Sequence, residues 1–166
     1  MSATGLDVFD KTLQTTHLWL NEIMAVTGPD RRVAWHELGA VLRAVRDRIP
    51  LELAAHLGAE LPILVRGIYY EKWRPAAQPE HYRSLDEFCD CVLRNLGEIR
   101  PVDPRLAARA VFGVLSRHLA EGQIRKVRDA LPAEIRALWH GGDEAADLAG
   151  LQPVAAHPEQ ARALRT

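Results

Sequence analysis

Side chains that could bind a metal or exchange a proton are concentrated in the first third of the chain. They are His17, Asn21 and Glu22 in the first predicted helix, His36 in the second and His56 in the third, and Trp35 belongs to the same polar cluster. Histidine and carboxylate groups on facing helices can form a metal site or an acid–base pair. Because His17 interrupts an apolar stripe, we expect it to be buried, neutral and hydrogen-bonded. The cluster is then either a hydrogen-bonded polar group inside the protein, which we favour, or a ligand site.

Spacings typical of metal and catalytic motifs are absent from the sequence. Neither His-x-x-x-His nor His-Glu-x-x-His occurs, and Glu-x-x-His is not repeated on two helices as it is in dinuclear bundles. There is also no glycine-rich phosphate loop and no serine elbow. We therefore expect no metal and no cofactor, and a binding or scaffold protein rather than an enzyme. The alternative is a metal- or small-ligand-binding protein, possibly an enzyme, that uses the histidines and glutamates of this region.

Aromatic and basic residues crowd a second region, near the middle of the chain. The set comprises Tyr69, Tyr70, Trp73, Arg74 and Tyr82. Such residues are enriched where proteins contact partners, but they can equally fill the space between two packed units. We expect most of them to fill that space, with the outward-facing aromatics left to contact a protein partner.

The spacing of apolar residues predicts helices throughout the chain, and the same order of helices occurs twice. A signature ending in Leu-Pro covers residues 47–62 and recurs at 117–132, a period of 70. Each copy follows a long amphipathic stretch, in which Leu20 aligns with Leu93 at an offset of 73. The pattern predicts an all-α protein of two tandem four-helix repeats related by a pseudo-twofold axis. Residues 1–74 form the first repeat, 75–83 a linker, 84–141 the second repeat and 142–166 a disordered tail.

Charges and cysteines indicate the class of partner and the compartment. The net charge is −1 and is evenly spread, so we expect no nucleic-acid partner. Arg43, Arg46 and Arg48 lie mostly off the apolar face and are expected to be solvated. No uncharged run approaches the roughly 18–20 residues that span a bilayer, and no secretory signal is visible. Cys89 and Cys91 indicate reduced thiols and hence a cytoplasmic location.

Several segments resemble one protein family. They are Arg83-Ser-Leu-Asp-Glu-Phe88, the stretch 107–115, the stretch 9–22 and the two Leu-Pro elements. Over residues 7–140 the chain resembles a bacterial family catalogued as domain of unknown function 2267. This resemblance implies an all-helical tandem repeat in a bacterial cytoplasmic protein. It brings no established activity and no catalytic residues, so the expected partner is an unidentified protein or a second copy of the chain.

Overall fold

Helices account for almost all of the regular structure in the computed structural model, which describes residues 2–139. They are α1 Asp7–Thr27, α2 Arg31–Arg48, α3 Leu51–Glu60, α4 Ile63–Tyr70, α5 Leu85–Leu96, α6 Pro104–His118, α7 Glu121–Asp129 and α8, 133–139. One 3-10 turn, Pro75–Ala77, lies in the linker. The described residues contain no strand, so the all-α prediction is confirmed. The predicted tail, 142–166, and the last residues of the second repeat lie outside the described residues.

Side-chain caps explain where three of the helices begin. Asp30 accepts a hydrogen bond from the amide of Val33 at 3.1 Å, and Ser84 accepts one from Glu87 at 3.2 Å. Asp103 does the same at the start of α6, where it caps two amides. Each cap satisfies donors that have no partner inside the helix and that would otherwise require solvent.

A single hydrophobic core runs through both halves of the chain. The most extensive helix contacts join α5 to α2 and α1 to α6, so the first helix of each half packs on the second helix of the other. The second helices, α2 and α6, also pack on each other, and α3 meets α7. This reciprocal exchange is the packing that a pseudo-twofold axis would produce. The tandem-repeat description nevertheless stays a prediction.

Burial places the two first helices in a different register from the predicted one. Leu20 is 4% exposed, whereas Leu93, its predicted equivalent, is 45% exposed. Gly28 and Gly97 both end their helices with a positive φ, 122° and 66°, which glycine adopts without strain. Aligning these caps gives an offset of 69. For the ends of α1 and α5 the offset is therefore one helical turn shorter than the predicted 73, a shift that leaves the same face inward. The predicted offset of 73 holds for Asp30 and Asp103, which cap α2 and α6.

The first half of α1 is more exposed than its pattern predicts. Leu6, Phe9 and Leu13 are 52%, 54% and 42% exposed, and His17 is exposed on the same side. The residues of α1 that are buried begin only at Thr16. Because neighbouring helices cover only the second half of α1, the apolar stripe continues past the end of its packing partners. The expectation that His17 is buried was wrong for this reason.

Candidate functional site

Arginines at the end of α2 hold the end of α4 in place. The Arg46 side chain is buried, and its Nη1 donates to the carbonyl oxygens of Tyr69 at 2.6 Å and Glu71 at 2.8 Å. Arg43 Nη1 donates to the carbonyl of Ile68 at 3.3 Å. Carbonyls at a helix C-terminus lack partners within the helix, so these guanidinium groups satisfy them. The expectation that Arg43 and Arg46 are solvated was therefore wrong.

Gln78 fastens the linker to the same end of α2. Its Nε2 donates to the carbonyls of Arg46 and Ile49, both at 2.6 Å, and its Oε1 accepts from Trp73 Nε1 at 2.7 Å. The Glu80 amide donates to the carbonyl of Asp47 at 2.6 Å. The predicted linker is therefore bound to the helix surface along much of its length.

Further along the linker, Arg48 holds the segment before α5. Its Nε donates to the Tyr82 carbonyl at 2.8 Å, and its guanidinium carbon lies 5.7 Å from the centre of the Tyr82 ring. The cation over the ring adds an attraction that does not depend on a hydrogen bond. The linker is thus fixed by main-chain carbonyls of α2 at Gln78 and Glu80, and by the Arg48 side chain at Tyr82.

Two of the predicted contact residues are buried inside the protein. Tyr69 is 0% exposed and its hydroxyl donates to the Ala54 carbonyl at 2.6 Å, while Tyr82 is 7% exposed and donates to Ala44 at 2.9 Å. Burial raises the pKa of both hydroxyls well above the usual tyrosine range, so they stay protonated donors. Their place in the predicted contact set needs correction, because both rings lie in the hydrophobic core.

The other three predicted contact residues reach the surface. Tyr70 and Trp73 are half-buried, with ring centres 5.3 Å apart, and Arg74 is exposed. Beside them lies a groove of about 250 Å³ lined by Asp47, Lys72, Arg74, Ala77, Gln78 and Glu80. Within the described residues, the Lys72 and Arg74 side chains form no ion pair. The groove therefore offers two cations, unpaired in the part of the chain that the structure describes, next to two partly exposed rings.

The histidines of the first half do not form a metal site. His17 and His56 are exposed, and His36 and Trp35 are half-buried. Asn21 accepts a hydrogen bond from Arg31 at 3.3 Å. Over residues 2–139 no group of three or more His, Cys, Asp or Glu side chains is arranged to hold a metal ion.

Glu22 instead joins residues of the second half. Its carboxylate lies 3.0 Å from His118 Nε2 and 3.2 Å from Arg117 Nη2. The His118 ring also stacks on Trp19 at 5.4 Å. The sequence did not predict this pairing, although Arg117 and His118 are the first two residues of the second Leu-Pro signature. The cluster links α1 to α6, and its contacts are those of a stabilising ion pair.

Glu37, which follows His36 in α2, is a buried carboxyl. It is 1% exposed, and its Oε2 accepts a hydrogen bond from Thr27 Oγ1 at 2.8 Å. Burial raises the pKa of Glu37, and the Thr27 bond and the positive charge of Arg100 oppose the rise. Glu37 and Thr27 line a cavity of about 70 Å³ closed by residues 100–103 and Leu106, large enough for ordered water. The burial of Glu37 could have been inferred from its spacing, because it lies three residues after Ala34 and therefore on the inner side of α2.

Comparison with known proteins identifies a family and no activity. A family model described as an uncharacterized conserved protein, DUF2267, matches residues 16–138. The first turns of α1, which carry the exposed stripe, precede this match. A search of curated proteins finds no match. Within the described helices, none combines the length and apolar character needed to cross a membrane.

Proposed function

Because the chain belongs to the DUF2267 family, whose description names no activity, we propose a function from the site itself. The protein is a non-enzymatic α-helical binding or scaffold protein. It contacts a partner protein through the junction surface, defined here as Tyr70, Lys72, Trp73 and Arg74 with the groove beside them.

The fixed linker is the observation that carries this proposal. Gln78 and Glu80 bond to three carbonyls at the end of α2, and Arg48 holds the Tyr82 carbonyl. A surface loop held in one conformation loses little conformational freedom when a partner binds. The junction surface is therefore organised before any partner arrives, as an efficient contact surface requires.

The chemistry of the junction surface defines the kind of partner. Tryptophan, tyrosine and arginine supply most of the binding energy at protein interfaces, and Tyr70 and Trp73 present partly exposed rings here. Lys72 and Arg74 line the groove without ion-pair partners among the described residues. We expect the partner to offer an apolar side chain to the rings and a carboxylate to the cations.

A cytoplasmic location forms part of the proposal. Both cysteines are unpaired and buried, which suits a chain kept in a reducing compartment. The bacterial source is implied by the family resemblance alone.

The test compares protein partners recovered by matched charge variants. Lys72→Glu combined with Arg74→Glu reverses both cations of the junction surface. Lys126→Glu combined with Arg109→Glu makes the same change in net charge at exposed positions on α7 and α6. Recovery is measured by quantitative mass spectrometry after circular dichroism has shown that each variant is folded.

We expect a partner that the wild type and the α7/α6 control recover equally, and that the junction variant recovers at least tenfold less. Tyr70→Ala should lower recovery of the same partner. Equal recovery by the junction variant and the control would reject the junction surface as the contact site.

A further inference from the structure

Gly58 lies inside α3 with an ordinary helical backbone, so its conformation does not require a glycine. Glycine in the interior of a helix costs stability relative to alanine. The backbone would therefore accept a side chain at this position, and the atoms around it decide whether one fits.

The Tyr70 side chain occupies the space beside Gly58. A methyl group added to Gly58 would collide with the Tyr70 hydroxyl, and it would lie 2.5 Å from Tyr70 Cζ and 2.9 Å from Tyr69 Cε1. Carbon atoms pack at about 3.5–4.0 Å, so the Tyr70 ring could not stay where it is. The Tyr70 hydroxyl also donates to the Ala55 carbonyl at 3.4 Å. The hydroxyl end of Tyr70 is therefore packed against α3 at the position of the missing side chain.

Contacts of the Tyr70 ring continue into the junction surface. Its centre lies 5.0 Å from that of Tyr69, with the ring planes at 70°, and 5.3 Å from that of Trp73, with the planes at 37°. Trp73 Nε1 in turn donates to Gln78 Oε1 at 2.7 Å. A displacement of Tyr70 from Gly58 would therefore change the surroundings of Trp73, the second ring of the junction surface.

The second half of the chain has a long side chain in the corresponding place. The residue 70 positions after Gly58 is Arg128, in α7 and within the second Leu-Pro signature. An arginine does not leave the space that a glycine leaves. The space beside Gly58 is therefore a feature of the first half, which also carries the junction surface.

We propose that Gly58 is a positioning residue of the junction surface. The space left by its missing side chain receives the hydroxyl end of Tyr70, and this contact sets the orientation of the Tyr70–Trp73 ring pair that a partner meets. Gly58 acts through Tyr70 and does not itself touch the partner. The contact with a partner rests on the proposed function, whereas the position of the two rings does not.

Nuclear magnetic resonance of the full chain tests the position of the rings. The chain has four tryptophans, and loss of one indole N–H signal in Trp73→Phe assigns the signal of Trp73. Gly58→Ala should move this signal by more than its linewidth, because Tyr70 must leave its place. Gly67→Ala is the matched control, since a methyl group on this exposed residue of α4 meets no other atom of the described residues within 4 Å.

A second background shows whether the effect passes through Tyr70. In a Tyr70→Ala protein, Gly58→Ala should leave the Trp73 signal where it is. A shift that persists in this background would assign the effect to Tyr69 and overturn the proposal. An unmoved Trp73 signal in the Gly58→Ala protein, or an equal shift in the Gly67→Ala protein, would also overturn it.

The wild-type protein provides a measurement that does not depend on the folding of a variant. Nuclear Overhauser contacts between the Gly58 α protons and the Tyr70 ring protons should be strong, because the ring lies against this residue. Their absence would overturn the proposal even if Gly58→Ala does not fold.

Partner recovery tests the consequence for binding, with the protein identified in the charge-variant experiment as the probe. Gly58→Ala should lower its recovery about tenfold, as the loss of a well-placed interface side chain does, and Gly67→Ala should not. Unchanged recovery by a Gly58→Ala protein whose Trp73 signal has moved would overturn the positioning role while the charged part of the proposed function stands. If the charge variants instead reject the junction surface, the Trp73 signal still decides whether Gly58 positions the rings.

Discussion

Replacing Arg46 by methionine should destabilise the whole protein although it changes only one side chain of α2. Arg46 is 2% exposed, and its Nη1 donates to two carbonyls at the end of α4. A hydrogen bond from a charged donor contributes about 1.5–3 kcal/mol. Since both bonds share one nitrogen, we take the lower figure for each and expect a loss of about 3 kcal/mol in the free energy of unfolding. Methionine keeps most of the aliphatic volume, so the lost bonds rather than a cavity dominate the effect.

Urea unfolding followed by tryptophan fluorescence measures this loss. For a chain of this size, about 3 kcal/mol corresponds to a fall in Tm of roughly 10 °C. Arg109→Met on the exposed side of α6 is the matched control and should stay within about 0.5 kcal/mol of the wild type. An Arg46→Met variant no less stable than the Arg109→Met variant would refute the role assigned to the guanidinium group.

Three further substitutions test other parts of the structure. Gln78→Ala removes two bonds to carbonyls and should cost about 2 kcal/mol, with greater acrylamide quenching as Trp73 is freed. Glu37→Gln should gain stability relative to the wild type as pH rises from 4 to 8 in urea titrations, because burial raises the folded-state pKa of Glu37 above its ordinary value of 4.5. Glu22→Ala should cost about 1 kcal/mol by removing the partner of Arg117 and His118, and 1 M salt should reduce that difference because it screens the Arg117 ion pair.

The sign of the Glu37 effect follows from proton binding. Between 4.5 and the raised pKa, the folded protein keeps a proton that the unfolded chain has lost. The stability contributed by protonated Glu37 is therefore complete below pH 4.5 and is lost as pH rises through the folded-state pKa. Glutamine cannot ionise, so a constant difference between variant and wild type across this range would contradict the assignment.

Local chemistry allowed the helix boundaries to be predicted, but not the contacts of long side chains. Asp30, Ser84 and Asp103 cap helices because a short polar side chain reaches only its own first turn. Arg46 instead contacts another helix. Its position off the apolar face of α2 does not show whether the side chain is solvated or bonds the end of a neighbouring helix. Similarly, Glu22 pairs with His118, which lies 96 residues away in the chain.

Periodicity also leaves an ambiguity of one helical turn. A shift of three or four residues keeps the same face inward, so offsets of 69 and 73 predict equivalent stripes. The exposure of Leu93, against the burial of Leu20, and the positions of the Gly28 and Gly97 caps distinguish them. The same limit explains Phe9 and Leu13, because an apolar stripe does not show where its packing partner ends.

The differences between the two halves lie at the ends of α2 and α6 rather than in the shared core. The carbonyls at the end of α2 take donors from the linker, and the linker that supplies them also displays Lys72 and Arg74. At the end of α6, the Arg117 and His118 side chains instead contact Glu22 of α1. The need to satisfy the last carbonyls of a helix has thus produced an organised surface at the end of α2. Because Trp73 also holds Gln78, substitutions of Lys72 and Arg74 separate binding from the closure of α2, whereas a substitution of Trp73 changes both.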